Sequence, residues 1–386
     1  MTSFTALPGE ESEPWPALGG VERQALRELL IHGPKSRAEI ARELGMSRAS
    51  LTRVTRTLVD HGFVAEGASQ LRGTTGRPSE LLHVRPGARS FLGVKLTGED
   101  LFAVVTDLTA KVLASHDEPL RSKAVDDVVA QIGEVHDRLR AAHPDIAAAG
   151  ICLAGDVTDA DGHQIIVESL FLGWYRVHLA DLVRERIGVP VATENDVRSL
   201  TAAEHWFGVG AGFDSMALLT VGAGVGLGLV ADGKVVTGAH GKSARVDHQL
   251  VDSNGPMCGH GHRGCVSVYL PNGSIVASLR TPGLDYPGAV ALARGRDHAA
   301  MAAFGDAGRA LGTLVAMVAN TMDPEKIVIT GDGIAVTEIA RTEMESAIEA
   351  HRHPTGGPVT LDIQPFEFVE WARAGAVLAI RSCLQF

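Results

Sequence analysis

The chain has 386 residues, with 35 Lys and Arg against 46 Asp and Glu, and a formal net charge of −11. This length predicts more than one domain, because single domains usually have ~100–200 residues. An apolar fraction of 45% is ordinary for a globular protein. The acidic total argues against a protein that coats nucleic acid through bulk charge, and four cysteines are too few for a disulfide framework.

The charge is distributed unevenly along the chain. Residues 1–20 hold three acids and no Lys or Arg, which predicts a disordered acidic tail rather than a secretory signal. Residues 21–89 hold 12 Lys and Arg against 7 Asp and Glu, whereas residues 90–386 hold 23 against 36. A basic module before an acidic body indicates that the module contacts nucleic acid. We expect a cytoplasmic protein with no membrane partner, since no apolar run reaches the ~20 residues that span a bilayer.

Residues 21–62 show three short helical patterns. Ser36 and Glu39 form a capping-box pattern at the start of the second helix, and Ser47 is placed to cap a third helix that ends at Gly62. Two helices joined by a tight turn predict a helix-turn-helix whose later helix reads DNA. The face expected to point outward carries hydroxyls and guanidiniums suited to phosphates and base edges: Ser47, Arg48, Ser50, Thr52, Arg53, Thr55 and Arg56.

A β-hairpin wing is predicted after the third helix, which completes a winged helix-turn-helix over residues 21–89. Arg72 and the extended Gly76-Arg77-Pro78 would place guanidiniums near the minor groove. The alternatives are a solvated helix face and a plain turn. We predict double-stranded DNA as the partner, with a palindromic operator bound by a homodimer or homotetramer.

The acidic body alternates strand and helix patterns, which predicts an α/β fold. Strands are expected at 91–94, 101–106, 148–153, 189–193, 215–221, 225–230 and 326–330. Helices are expected at 124–142, 179–187, about 196–208, 302–322 and 371–383.

Five segments of the body carry a family resemblance: Leu172-Gly173-Trp174, Glu194-Asn195-Asp196, the glycine-rich 220–226, the segment after His248, and 329–333. With the winged helix in front, residues 21–386 resemble the repressor branch of the ROK family, which contains repressors, open reading frames and sugar kinases. The resemblance implies a two-lobed, actin-like fold of the sugar-kinase and Hsp70 ATPase type. One lobe would comprise about 90–200 with the C-terminal helix 371–383, and the other about 201–370.

The segment that binds phosphates in the family's kinases is altered in this chain. It resembles Gly-Ile-Asp-Ile-Gly-Gly-Thr in the kinases, and here residues 93–99 place Lys95, Thr97 and Glu99 at the Asp, Gly and Thr positions. Glu99 would repel phosphates, and Thr97 would block the approach of the backbone. Asp196 matches the kinases' catalytic base but would lack a phosphate to act on. We therefore predict that the chain is not an enzyme.

The same resemblance implies a metal site after His248. The family pattern is a His followed by Cys-x-Cys-Gly-x-x-Gly-Cys, and His260 takes the place of the middle Cys. The implied ligands are His248, Cys258, His260 and Cys265, a closed set that would hold one structural zinc per chain. His262 is a reserve ligand, and a polar loop with unrelated thiols is the alternative.

The effector pocket implied by the resemblance is only partly retained. Asn195, Asp196 and His248 match the family's sugar contacts, whereas Phe171, Arg245 and Ser267 replace an Asn and two Glu. A guanidinium suits phosphate or carboxylate, so Arg245 favours an anionic effector such as a sugar phosphate. Alternatively, Arg245 pairs with Asp247 or Asp252 and the pocket takes no ligand.

Three functions remain open at this point. The first is a repressor of carbohydrate-related genes that a sugar or sugar-phosphate effector controls. The second is a DNA-binding regulator that acts constitutively or answers to a protein partner. The third is an ATP-dependent sugar kinase with an accessory DNA-binding domain.

Overall fold

The computed structural model describes residues 15–70, 79–160, 163–242 and 244–386. The helices are α1 (Gly20–His32), α2 (Arg37–Glu43), α3 (Arg48–Asp60), α4 (Val125–Arg140), α5 (Leu179–Ile187), α6 (Asp196–Phe207), α7 (Asn272–Leu279), α8 (Tyr286–Arg294), α9 (His298–Met322), α10 (Ala335–Ile339), α11 (Arg341–His351) and α12 (Phe368–Leu384). The strands are β1 (Lys35–Ser36), β2 (Val64–Gln70), β3 (Ser79–Val84), β4 (Ser90–Leu96), β5 (Asp100–Asp107), β6 (Val112–Pro119), β7 (Ile146–Leu153), β8 (Asp156–Ala160), β9 (His163–Ser169), β10 (Trp174–Val177), β11 (Val191–Asn195), β12 (Met216–Val221), β13 (Val225–Ala231), β14 (Lys234–Val235), β15 (Lys326–Thr330) and β16 (Leu361–Ile363).

The N-terminal module packs α1, α2 and α3 on a small sheet of order β1-β3-β2. The predicted capping box is confirmed: the Ser36 hydroxyl accepts from the Glu39 N–H, and the Glu39 carboxylate accepts from the Ser36 N–H at 2.7 Å. Ser47 caps α3 by accepting from the Ser50 N–H at 3.2 Å. These caps satisfy N–H groups that helix starts otherwise leave without partners. The tip of the wing, with Arg72 and Arg77, lies outside the described residues.

The first lobe is built on a five-stranded sheet of order β11-β7-β4-β5-β6. Strands β7 and β11 run parallel, whereas β4, β5 and β6 form an antiparallel meander. Helix α12 lies directly on β4 and β7, and glycines permit this approach. A Cβ at Gly93 or Gly150 would stand 2.0 Å from a carbonyl oxygen of α12. A smaller sheet of order β10-β9-β8 flanks this lobe.

The second lobe is built on a sheet of order β14-β13-β12-β15-β16. Its core joins the buried strands β12 and β15 to α9, whose Phe304, Leu311 and Leu314 are fully buried. Among the described residues, α9 alone has the length and composition of a membrane span, and 67% of its most apolar window is buried inside the fold. Packing thus accounts for the apolar character of α9.

The winged helix contacts both lobes through aromatic and cationic side chains. Trp15 lies 4.8 Å from Phe63 of the module and 5.9 Å from Phe91 of β4, between ring centroids. Our prediction of a disordered tail over 1–20 is therefore wrong at Trp15, because its ring fills this junction; residues 1–14 lie outside the described chain. On α1, Arg27 donates to the Gly233 carbonyl at 3.1 Å and lies 4.9 Å from the Phe386 ring.

Candidate DNA interface, metal cluster and ligand cleft

The outward face of α3 carries cations and hydroxyls. Arg48, Thr52, Arg53 and Arg56 are exposed, as is the cap Ser47, while Ser50 is half-buried. The helix has no acid in its first turn, so no carboxylate there offsets the positive end of its dipole. These properties suit a phosphate backbone and the base edges of a groove.

One residue expected on that face points inward. Thr55 is fully buried, and its hydroxyl accepts a hydrogen bond from the Arg37 Nε at 3.0 Å. Arg37 also pairs with Glu66 of β2 and lies 3.5 Å from Glu80 of β3. Thr55 therefore joins the recognition helix to the wing through Arg37 rather than contacting DNA.

A cluster of histidine and cysteine side chains lies in the loop after β14. His248 Nδ1 is 3.7 Å from the Cys258 Sγ and 3.6 Å from the Cys265 Sγ. One ligand atom from each of His248, Cys258 and His262 lies within 4.8 Å of the others. The His260 ring stands 4.9 Å from the His248 ring, edge to face. The donor set of two thiols and two imidazoles is one that tetrahedral zinc accepts.

Backbone turns hold this cluster in shape. The Cys258 N–H donates to the His262 carbonyl at 2.8 Å, which closes a tight turn around Gly261 at φ 82°. Gly264 adopts φ 60°, and a Cβ there would lie 1.5 Å from the Asp252 carbonyl oxygen. Desolvation raises the pKa of the Cys258 thiol, but the backbone N–H groups of His260 and His262 outweigh it, so the pKa lies below its usual value.

The cluster is connected to a cleft between the lobes. His248 Nε2 lies 3.4 Å from the Asp247 carboxylate. A carboxylate in this position orients the imidazole of a metal-binding histidine. Asp247 in turn lines a cavity of about 350 Å³, together with the predicted effector residues Asn195 and Arg245. We call this cavity the outer compartment; Asp247 lines it and His248 does not. His248 is therefore connected to the cleft only by its contact with Asp247.

Arg245 has an acidic partner in the outer compartment. Asp156, at the start of β8, pairs with Arg245 and lies 3.0 Å from the Lys242 Nζ. The partner is neither Asp247 nor Asp252, the two acids that the sequence suggested. An anionic ligand at Arg245 would therefore compete with Asp156 for both cations.

A buried arginine organises the start of α6. Arg198 pairs with Glu194 and donates to the Val157 carbonyl at 3.0 Å. Asn195 caps the helix by accepting from the Arg198 N–H at 3.2 Å, and its amide donates to the Gly155 carbonyl at 2.9 Å. The predicted sugar contact Asn195 is thus engaged in fixing the helix end. The sequence offered no motif that singled out Arg198 or Asp156.

Asp196 lies in a second, inner compartment of about 270 Å³. Its carboxylate forms a buried ion pair with the Lys95 ammonium, which stands 4.9 Å from the centre of the Trp371 ring. Thr97 Oγ1 accepts from the N–H groups of Glu99 and Asp100, so it folds back on its own turn. Residues 95–99 therefore form an internal ion pair and a closed turn.

A further carboxylate lies against the glycine-rich loop. Asp332 accepts from the Asn272 amide at 2.9 Å, and its other oxygen would be 1.8 Å from a Cβ at Gly222. Burial raises the pKa of Asp332, although backbone and Asn272 hydrogen bonds oppose the rise. Of the other replaced positions, Phe171 lines both compartments, and the Ser267 hydroxyl lies 3.0 Å from the Cys265 Sγ.

Two family models match the chain in succession. The MarR family model matches residues 18–73, and the ROK family model matches residues 91–359. The two matches are separated by residues 74–90, which include β3 of the wing. The residues that carry the resemblance therefore lie within the matched ranges.

Known proteins of the same organisation are similar over most of the chain. The xylose repressor of Bacillus spizizenii is 24% identical over 87% of this chain and 88% of its own. The DNA-binding transcriptional dual regulator NagC of Escherichia coli is 29% identical over 82% of this chain and 81% of its own. The crystal structure of a ROK family transcriptional regulator, a homologue of the Escherichia coli MLC protein, matches with a TM-score of 0.80 and 24% identity, over 95% of this chain and 96% of that one. That structure shares the fold, from the winged helix to both lobes.

Proposed function

The chain belongs to the ROK family, and on that premise we propose that it is a DNA-binding transcription regulator, a repressor of carbohydrate-related genes that a sugar-derived effector modulates. The observation that carries the proposal is the outward face of α3, where Arg48, Arg53 and Arg56 are exposed on a capped helix. A dimer would place two such helices in successive major grooves of a palindromic operator. The similar proteins include a repressor, which supports this proposed function. We propose that the chain acts in the cytoplasm.

The route from effector to DNA runs through α6. Its first turn lies in the cleft, with Asp196 in the inner compartment and Arg198 in the outer one. Its last turn presents Trp206, over which the Arg27 guanidinium of α1 stands at 5.7 Å. The 12 residues of the helix span about 18 Å at ~1.5 Å per residue. An effector that shifts the start of α6 would thus shift α1 and change the spacing of the two α3 helices in a dimer.

We propose one structural zinc per chain, held by His248, Cys258, Cys265 and His262. The ligand atoms of His248, Cys258 and His262 lie within 4.8 Å of one another, which supports His262 in place of the expected His260. Four protein ligands leave no open position, so the ion would supply rigidity alone. Its place beside Asp247 would brace the outer wall of the cleft.

We propose further that the chain is not a kinase. Asp196 matches the catalytic base of the family's kinases, and its charge is neutralised by Lys95. Asp332 places a second carboxylate against the glycine-rich loop. A transferred phosphate requires the opposite, a base that is free and a cradle of donors. Incubation with ATP and a panel of hexoses, pentoses and N-acetylated sugars tests this point, and phosphorylated sugar above the background of a chain-free control would contradict it.

The regulatory proposal is tested by selecting duplexes from a random library with the full-length chain, then measuring binding to the selected sequence by fluorescence anisotropy. We expect a palindromic consensus with two half-sites, whose binding exceeds that of a scrambled duplex by about 10³-fold or more at physiological salt. Enrichment of no sequence over the starting library would reject the proposal. Release of that duplex by a sugar distinguishes effector control from constitutive binding.

A further inference from the structure

The cleft between the lobes has two compartments that share a wall. Ala154, Phe171, Val197 and residues 224–226 line both the outer cavity of about 350 Å³ and the inner cavity of about 270 Å³. A ligand bound in one compartment can therefore extend into the other. The chemistry of the two differs, and this difference defines the shape of the ligand.

The outer compartment is lined by more charged side chains than the inner one. Three acids line it, as do three cations: Asp156, Glu168, Asp247, Arg198, Lys242 and Arg245. Asp156 bridges two of the cations at the rim. Such a wall offers hydrogen-bond donors and acceptors at several angles, as a polyhydroxylated ligand requires.

The inner compartment offers little to a charged ligand. Its charged side chains among the described residues are Lys95, Asp196 and Asp332. Lys95 and Asp196 are a buried pair that neutralises itself, with side chains only 6% and 10% exposed. Asp332 is engaged by Asn272. A phosphate placed here would face carboxylates and would find its one cation already paired.

The remaining wall of the inner compartment is mostly apolar, although the hydroxyl residues Thr97, Ser169 and Thr220 also line it. Leu96, Leu172 and Trp371 belong to its apolar part. Phe171 and Phe368 stand at the same cavity with 54% and 43% of their surface exposed. Large apolar side chains left exposed together at a concave site are a mark of ligand binding, since a ligand recovers the free energy that their exposure costs.

We propose that the effector is a sugar derivative with a neutral, apolar, ring-sized substituent, such as an aryl glycoside. Its sugar lies in the outer compartment and its apolar group lies in the inner one, in contact with Phe171 and Phe368. The inference rests on the proposed function, because it names the class of effector for the same cleft. It differs from the sequence-based expectation of a sugar phosphate in the group that the inner compartment recognises.

The test compares matched compounds on the full-length chain by titration calorimetry. Glucose, xylose and N-acetylglucosamine are each compared with their 6- or 5-phosphate and with their 4-nitrophenyl β-glycoside. We expect at least one 4-nitrophenyl glycoside to bind about tenfold or more tightly than both its parent sugar and the phosphate, since burial of a ring contributes that much readily. Equal or weaker binding of all three glycosides, or no binding at all, would overturn the proposal.

Variants locate the preference within the cleft. Phe368→Ser changes an exposed side chain that lines the inner compartment and not the outer one, and it should reduce the preference for the glycoside at least about threefold while leaving the parent sugar's binding unchanged. Phe171→Ala changes a side chain that lines both compartments, and it too should reduce the preference at least about threefold. Tyr175→Ser, at a 70% exposed aromatic that does not line either compartment, is the matched control and should have no effect. A preference that survives both phenylalanine variants would place the ring elsewhere and overturn the assignment. Operator binding, measured in parallel, reports on the regulatory function separately.

Discussion

Lys95 of β4 and Asp196 at the start of α6 form a buried ion pair that joins the central sheet of the first lobe to the helix that reaches the winged module. The Lys95 ammonium lies over the Trp371 ring of α12 at 4.9 Å. Strand β4 and helices α6 and α12 thus meet at the charged groups of Lys95 and Asp196, and the ion pair links them.

Removing one partner of this pair should destabilise the protein strongly. Lys95→Met leaves Asp196 buried and unpaired, and we expect a loss of about 3–5 kcal/mol in the free energy of unfolding. Lys95→Met with Asp196→Leu removes both charges and should recover most of that loss. Urea denaturation of the unaltered chain, the single variant and the double variant measures these free energies of unfolding. A double variant that is less stable than the single one would contradict a stabilising role of the ion pair.

Metal analysis separates the two histidines of the metal loop. Purified chain should contain about one zinc per protomer, and His262→Ala should weaken zinc binding by more than about 100-fold, since even changes around a ligand cost about 10–100-fold. His260→Ala is the matched control on the same loop and should retain the ion. The opposite pattern would restore His260 as the ligand that the sequence suggested.

The contact between Arg27 and Trp206 should couple the winged helix to the body. Arg27→Ala removes a hydrogen bond to Gly233 and two contacts with aromatic rings, together about 1–3 kcal/mol. We expect faster amide hydrogen exchange throughout α1, with little change in α9. Gln24→Ala, an exposed position on α1, is the control. Unchanged exchange in Arg27→Ala would mean that the junction is held by other contacts.

The sequence predicted local structure well where one short pattern decides it. The capping box at Ser36 and Glu39, the cap at Ser47 and the strand at 326–330 are all found. The helix expected from 302 begins at His298, because Asp297 caps it by accepting from the Ala300 N–H. The small sheet β8 to β10 was not predicted, since its strands are short and mix polar with apolar residues.

The site was less predictable than the fold because its partners come from distant segments. Asp156 meets Arg245 across 89 positions, and Lys95 meets Asp196 across 101. Periodicity reports on neighbours within a turn or a strand, so no pattern in the sequence could pair these groups. The family resemblance named Asn195 and Asp196, and it could not show that the first caps α6 and the second is neutralised.

If α3 contacts the bases of an operator, Arg53→Ala should lower the affinity of the chain for the selected duplex. We expect binding at physiological salt to weaken by about 1–3 kcal/mol, roughly 5- to 150-fold, with Arg140→Ala on the far helix α4 binding as the unaltered chain does. The fold of both variants is checked by circular dichroism. Equal operator affinity of Arg53→Ala and the unaltered chain, at the same salt concentration, would mean that α3 does not bind the operator.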